Sequence, residues 1–504
     1  MAEPQIIPLQ QPLKGLVKSL ALSDQPPGTV IDSRDVFPRD AKTGRLRLSV
    51  RPGYSAVGDF LTASSSQAPA GFAILGNAFD ESGGIQLFGF SSGRLIKWTG
   101  SAWSNAGSIT SSTSRTIHGA SYGTQLFIAC NAPYKYYDYD PNNDGDPSDA
   151  TIASWTATAG TIPPNCRIVA SYASRAVLLA DPDHPNIINF SRTDDWFDWD
   201  FTAEDSGTAV SVAIDEAATC GFEHNRQCFI VGTKHGMWIF RGNPAAQNAI
   251  REKFAFVLGP VNSTAWCKSA DDWTYMMAHN GLYRMAPGCG APPEAVSRDR
   301  IPEELLGCDG VNTKAYLAYN ERFRVVEIHL QGTNASSWAY DVDGGGFWKI
   351  SAPGTGILAA IRFGPLDSTT ASGTLIATST NVMRLNNAQA LGGSDKAYAT
   401  MLFPLAPIGM KGMVQKNVLH FSSNTNDNPT VAFHGGATAE LAAALSADRK
   451  AEATAAELAA NNGTWYPRVG GTFEVLKITQ DDTAEHWSVE GGSLFVEPNG
   501  IERG

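Results

Sequence analysis

The sequence predicts an all-β protein: a β-propeller-like body, preceded by an extended N-terminal arm and followed by a C-terminal β-rich domain carrying one Ala-rich helix. Three observations lead there. Turn formers are spread along the whole length, with 49 Gly and 28 Pro among 504 residues, so the ordered segments between them are short. Those segments read as alternating or apolar runs bounded by turn residues, the pattern of consecutive antiparallel strands. A hairpin unit also recurs: SSGRLIKWTG (91–100), KHGMWIFRGN (234–243) and HNGLYRMAPG (279–288) each join a polar turn with Gly to an apolar run containing an aromatic and a basic residue.

Residues 1–66 form the arm, whose Pro and Gly punctuation permits no long helix. From 67 to 386 the hairpin unit sets the period. Gly236 and Gly281 stand 45 residues apart, and Gly93 precedes Gly236 by 143, about three such periods, within the ~40–50 residues of a four-stranded propeller blade. Seven candidate units follow, near 70–104, 115–155, 165–201, 208–243, 260–288, 313–350 and 355–386. A single sheet cannot bury both faces, whereas a ring of sheets can; stacked β-sandwiches are the alternative. Residues 387–504 change character. Two strands are expected within 401–435, a single helix over 437–460 (ATAELAAALSADRKAEATAAELAA), and further strands at 472–480 and 486–498.

Composition excludes several function classes. Hydrophobic residues make up 43% and charged residues 17%, which is not the balance of a disordered chain. The net charge of -12 argues against a surface that grips phosphates, though an acidic wall still lets a duplex slide past. The seven cysteines include no CxxC pair and read as buried free thiols rather than a disulfide or zinc framework. MAEPQIIPLQQPLKG lacks the basic start and apolar core of a signal peptide, and no apolar run reaches ~18 residues, so a cytoplasmic origin without membrane insertion is expected.

No motif of catalytic spacing occurs, so no catalytic residue, cofactor or enzymatic activity is expected. His224 sits in a Glu-His-Asn triplet without matching ligands. In TDDWFDWDF (193–201), alternation turns Trp196, Phe197 and Trp199 inward and leaves Asp194, Asp195, Asp198 and Asp200 to solvent or turn amides. DPNNDGDPSDAT (140–151) matches the first half of a calcium loop at Asp140, Asn142, Asp144 and Gly145. Its twelfth position is Thr151, where a bidentate Glu is expected. An exposed turn between strands competes with the calcium reading.

The most informative stretch is QPPGTVIDSRDVFPRDAKTGRLRLSVRPGY (25–54), a polar run with cations at Arg34, Arg39, Lys42, Arg45, Arg47 and Arg51. It resembles the N-terminal signature of the tail nozzle (tail tubular or hub) proteins of short-tailed bacteriophages. The matching positions are Gln25, Pro26, Pro27, Val36, Pro38, Asp40, Thr43, Gly44, Arg45, Arg47, Arg51, Pro52 and Gly53, with Asp35 where Asn is usual. Segments 167–201, 229–244, 259–285, 298–307 and 337–350 resemble later parts of such proteins in the same order. The likeness covers roughly 15–385 and does not extend to 437–460.

What the resemblance implies is a structural virion protein of the phage tail, made in the host cytoplasm and assembled as a homo-oligomeric ring, a hexamer. The ring would sit below the portal and its adaptor (the head-to-tail connector), contact tail fibre or needle proteins, and retain and then eject double-stranded DNA without sequence-specific binding. The six arm cations are then candidate docking groups for neighbouring subunits or the adaptor, against a plain solvated charge run. Gly344, Gly345 and Gly346, in a polar loop expected to be flexible, are candidate gate residues, as is the 140–151 loop. Two rivals remain: a glycan-degrading propeller, which needs an aromatic platform beside paired carboxylates, and a lectin-like or calcium-dependent adhesion propeller.

Overall fold

The computed structural model describes residues 5–66, 68–79, 85–91, 93–109, 116–130, 133–142, 149–246, 249–254, 258–288, 290–354, 356–363, 373–386, 396–405, 410–422, 429–445, 450–480 and 486–501. Seven four-stranded antiparallel sheets succeed one another as propeller blades. Blade 1 runs from Pro69–Phe79 to Trp103–Ser108, blade 2 from His118–Tyr122 to Thr151–Ser154, and blade 3 from Ile168–Tyr172 to Val210–Ala213. Blade 4 runs from Ala218–Asn225 to Ile250–Phe254, blade 5 from Trp266–Lys268 to Glu294–Ala295, and blade 6 from Thr313–Asn320 to Phe347–Ile350. The first strand of each blade is innermost, and the inner strands of blades 7 and 1 lie side by side. The recurring hairpin unit is the third strand of blades 1, 4 and 5, at Arg94–Trp98, Met237–Arg241 and Gly281–Met285.

Blade 7 closes the ring. It takes three strands from late sequence, Ala359–Phe363, Gly373–Ala377 and Val382–Asn386, and its fourth, Gly53–Ala56, from the arm. Early and late chain thus share one sheet, and the arm strand covers the edge that Val382–Asn386 would otherwise leave open.

Blade 3 departs from the expected boundaries. The third and fourth units were expected near 165–201 and 208–243, but Val210–Ala213 is the last strand of blade 3. The intervening 191–209 segment turns Trp196 and Trp199 into a core with Phe127 and Trp155 of the preceding blade. Filling that space with two indoles lengthens the connection and delays the fourth strand.

The arm is sewn into the rest of the molecule. Gln5–Pro8 pairs with Val489–Ile501, and Asp32–Arg34 pairs with Tyr398–Pro404. Val36–Arg39 and Leu46–Val50 form their own hairpin. The C-terminal sheets therefore each contain one arm strand: one is ordered Asp32–Arg34, Tyr398–Pro404, Phe473–Thr479, Thr430–Gly436, Lys450–Ala453, and the other is built on Met410–Phe421 and Val489–Ile501. A single hydrophobic cluster runs from Phe37 and Leu48 of the arm hairpin through Phe323 and Trp348 of blade 6 to Phe433, Leu476 and Trp487. Gly15 shows how closely the arm lies: its φ is +67°, and a Cβ there would meet Phe347 backbone atoms at 2.7 Å.

The single helix expected over 437–460 is corrected to two short ones, Ala439–Ala443 and Ala455–Ala460. Between them Lys450–Ala453 pairs as an edge strand with Thr430–Gly436. Each helix has its own N-cap: Thr438 accepts from the Leu441 amide at 3.2 Å, and Thr454 exchanges bonds with Glu457 in a capping box. Tertiary strand pairing outweighs the alanine propensity of the middle of the run.

Candidate functional site

The signature stretch folds as two linked devices. The first is a rigid turn at 40–47. Asp40 Oδ1 accepts the amides of Lys42 and Thr43 at 2.7 and 2.8 Å, and Gly44 takes φ +70°. Asp40 Oδ2 accepts Arg47 Nε at 2.8 Å, and Arg47 continues to Thr43 Oγ1 at 3.0 Å and Glu490 Oε1 at 2.6 Å. Burial pushes the Asp40 carboxyl up, but His486 and the turn amides outweigh it and drive it well below the usual carboxylate range.

The second device is a buried latch at the ring closure. Arg51 Nε donates to Asp35 Oδ1 at 2.6 Å, with both side chains 2% exposed. Asp35 also accepts the Ser351 amide at 2.7 Å and its hydroxyl at 2.6 Å. Arg51 reaches the carbonyls of Pro52 and Ser351 and lies 4.8 Å from the Tyr54 ring centre. The Tyr54 hydroxyl donates to Glu327 Oε2 at 3.1 Å, and Glu327 Oε1 accepts from Thr374 and Asn320 at 2.6 and 3.1 Å. His329 Nε2 stands 3.6 Å from Glu327. The latch thus ties the arm to blades 6 and 7 through groups that are satisfied only together. Asp35 has φ +57°, a region where Asn and Asp are the enriched residues outside glycine, which accounts for either residue at this place.

Burial corrects the docking expectation for Arg47 and Arg51. Arg47 and Arg51 are buried in ion pairs, Arg39 pairs with Asp343, and Arg34 donates to Ser351 Oγ at 3.2 Å. A buried guanidinium needs a carboxylate beside it, and Asp35 and Asp40 supply two from the same stretch. Lys42 and Arg45 are exposed at the turn, next to Leu46, which is 53% exposed.

The triglycine lies in an ordered position of the fold. It belongs to a tight turn in which Gly344 donates to Asp341 Oδ2 and Gly345 to the Asp341 carbonyl, both at 2.9 Å, against arm residues 13–15. Burial pushes Asp341 up to about 6. In the 140–151 loop, Asp140 donates its amide to Asp138 and Asn142 bonds Asp149 at 2.6 Å, while Asp144 lies outside the described residues. No group of three or more His, Cys, Asp or Glu side chains is placed to hold a metal among the described residues. Both His224 ring nitrogens are bonded, to Thr274 Oγ1 and the Ala286 carbonyl at 2.8 Å each. The six described cysteines are free and buried, and Cys289 lies outside the described residues.

Sequence reasoning missed the axial cavity. It is open to solvent, has a volume of about 450 Å³ and is lined by the inner strands of all seven blades. His118 Nε2 of blade 2 meets Ser263 Oγ, at the entry to blade 5, at 2.8 Å, and burial drives His118 down to about 4. Farther along the inner strands stand Glu223, Lys268 and Arg362. Burial raises Glu223 against the opposing influence of Lys268 and Arg226. Lys268 pairs with Asp272 at 3.2 Å and Arg362 with Glu321 at 2.8 Å. Phe222 and Trp266 stack with centroids 4.1 Å apart and planes at 14°. The inner strands carry small residues, Gly71, Gly119 and Gly221, at the cavity wall, a signal visible only once the blade register is known.

No protein-family model and no curated protein sequence matches the chain. Among solved structures, the extracellular domain of the hybrid two component system BT4673 from B. thetaiotaomicron aligns at 12% identity and TM-score 0.44. That alignment takes in 77% of this chain, which spans 45% of the length of that one. U3-55K aligns at 9% identity and TM-score 0.41 over 66% of this chain and 99% of that one. The Neurospora crassa Pan2 WD40 domain aligns at 8% and 0.40, over 67% and 95%.

Proposed function

We propose that this chain is a non-catalytic structural subunit of a short phage tail, one copy of a ring-shaped nozzle that conducts and gates DNA. The observation that supports the reading best is the folding of the 25–54 signature. Its charged and turn-forming residues each hold a definite place in the fold. Asp40, Thr43, Gly44 and Arg47 build one turn, and Arg51, with Asp35, builds the latch that closes the propeller. The signature is thereby a folding code for a stiff subunit that joins blades to C-terminal sheets. Stiffness is what a ring of copies needs to hold an opening of constant size.

In this reading DNA runs between subunits and not through a propeller axis. The axial cavity of about 450 Å³ is spanned by the His118–Ser263 bond, whereas a duplex presents a major groove alone ~12 Å wide. The net charge of -12 suits a lumen that repels phosphate. Lys42, Arg45 and Leu46, exposed on a turn braced from below, are the docking group toward acidic surface on the next copy or the adaptor.

The deciding experiment is the mass and class-average symmetry of the purified chain, alone and with the portal and its adaptor. A closed ring, hexameric as the resemblance implies, with a duplex-wide opening is expected. A monomer or trimer that forms no ring even with those partners overturns the reading.

A further inference from the structure

We propose that the docking turn of one copy, with Lys42, Arg45 and Leu46, is received in the next copy by the Phe201-tipped loop 194–205 of blade 3. The contact rests on the ring reading and gives that turn its partner. Both surfaces stand at the same end of the propeller, because in an antiparallel blade the turns after the first and third strands share one end. Arg322, between the first two strands of blade 6, donates to the Ala41 carbonyl at 2.9 Å, and Asp343, between its last two, pairs with Arg39. Segment 191–209 joins the last two strands of blade 3, Ile187–Phe190 and Val210–Ala213. Blades 3 and 6 lie three places apart in a ring of seven, so turn and loop stand on opposite sides of one copy. A contact between copies is then head to tail, each giving a turn on one side and a loop on the other, the arrangement that closes into a ring.

Charge selects the partner. Segment 191–209 carries six acidic residues, Asp194, Asp195, Asp198, Asp200, Glu204 and Asp205, against Arg192, which Asp205 takes at 2.6 Å. The turn presents two exposed cations, Lys42 and Arg45. The apolar groups match as well, since Leu46 is 53% and Phe201 39% exposed. An apolar anchor inside a charged rim is the anatomy of a binding hot spot. Both surfaces are stiff before they meet, which lowers the ordering cost of docking. Beneath the loop, the buried Arg175 donates to the Ser191 and Thr208 carbonyls at 2.6 Å each and to Asn243 Oδ1 at 2.8 Å. Trp196 and Trp199 anchor the loop in the core, and Asp200 accepts the Thr202 amide at 2.9 Å around Phe201. Asp40 braces the turn in the same way.

The test is a charge swap, read as the particle mass of the purified full chain with and without the portal and its adaptor. Lys42→Glu with Arg45→Glu, and separately Glu204→Lys with Ser206→Lys, should each weaken ring assembly at least about tenfold, because like charges then face each other. All these side chains are exposed, so melting should stay unchanged. Combining both pairs restores opposite charges and should recover assembly. Phe201→Ser should weaken assembly, and added salt should weaken it in the wild type. A wild type that forms rings beside loop variants that assemble normally overturns this contact and leaves the nozzle reading standing. So does a turn variant that keeps its ring but loses the adaptor, which gives the turn to that partner. A combined variant that melts normally and assembles no better than either pair overturns the contact too. Failure of the wild type to form any ring overturns both readings.

Discussion

Replacing Arg51 by Met tests the latch most directly. The side chain is 2% exposed and supplies the bond to Asp35, two bonds to backbone carbonyls and the contact over Tyr54. Methionine fills similar volume but leaves Asp35 buried, with Ser351 as its remaining close donor pair and Arg34 3.8 Å away at the surface. Removing one partner of a buried ion pair costs about 3–5 kcal/mol, whereas removing both is close to neutral. Arg51→Met should therefore destabilise the propeller by about that amount, and Asp35→Asn, which removes the charge but suits φ +57°, combined with Arg51→Met should recover most of it.

The pH dependence gives an independent sign. In the wild type, burial pushes Asp35 up, yet Arg51 and Ser351 outweigh it and hold the carboxyl below its ordinary value. Its contribution is then fully present above the unfolded carboxylate value near ~3.9 and is lost as pH falls through the folded value. Without Arg51, burial dominates, the folded value moves above the unfolded one, and the variant gains stability as pH falls. Denaturant midpoints followed by tryptophan fluorescence between pH 3 and 7 measure both effects. Hydrogen exchange at Gly53–Ala56 and Val382–Asn386 localises them to the ring closure. A loss under about 1 kcal/mol, or a double variant no better than the single one, refutes the reasoning.

Other outcomes follow from single sites. Glu474 is fully buried with neither carboxyl oxygen hydrogen-bonded among the described residues, and burial raises it well above the ordinary range. Glu474→Met should stabilise the C-terminal sheets by about 1–3 kcal/mol at neutral pH. The wild type should lose stability as pH rises above ~4.3 while the variant does not, read from melting curves. Tyr54→Phe removes the hydroxyl from Glu327 and should cost about 1.5–3 kcal/mol in the same denaturant assay. Thr454→Ala removes the capping box of Ala455–Ala460 and should cost about 1 kcal/mol, seen as faster exchange of the helix amides. Lys42→Glu with Arg45→Glu should leave melting unchanged within about 0.5 kcal/mol yet abolish ring assembly in mass measurements. A ring that persists removes the docking role from the turn.

Much of the architecture was legible because it follows from local chemistry. Periodicity two, turn residues and the Gly93, Gly236 and Gly281 hairpins are properties of neighbours in sequence, and they placed third strands in blades 1, 4 and 5. The inward turn of Trp196 and Trp199 was readable for the same reason. The acidic loop at 191–209 was not, because whether it ends a blade depends on the room that the preceding blade leaves for two indoles. The helix at 437–460 failed similarly: alanine propensity is local, but Lys450–Ala453 answers to a strand contributed by Thr430–Gly436.

By itself, then, the sequence determined that the chain is all-β, that short strands repeat with a blade-like period, and that residues 25–54 carry a patterned set of Asp and Arg with no room for a helix. Only the tertiary structure decided what that pattern is for. Arg51 and Asp35 are 16 positions apart, and both reach Ser351 some 300 positions on. Burial determines which cations must find a carboxylate and which stay at the surface, and burial is set by distant chain. The same holds for the axial cavity, whose wall takes residues from seven separate strands. No window of sequence contains it, because ring closure creates it.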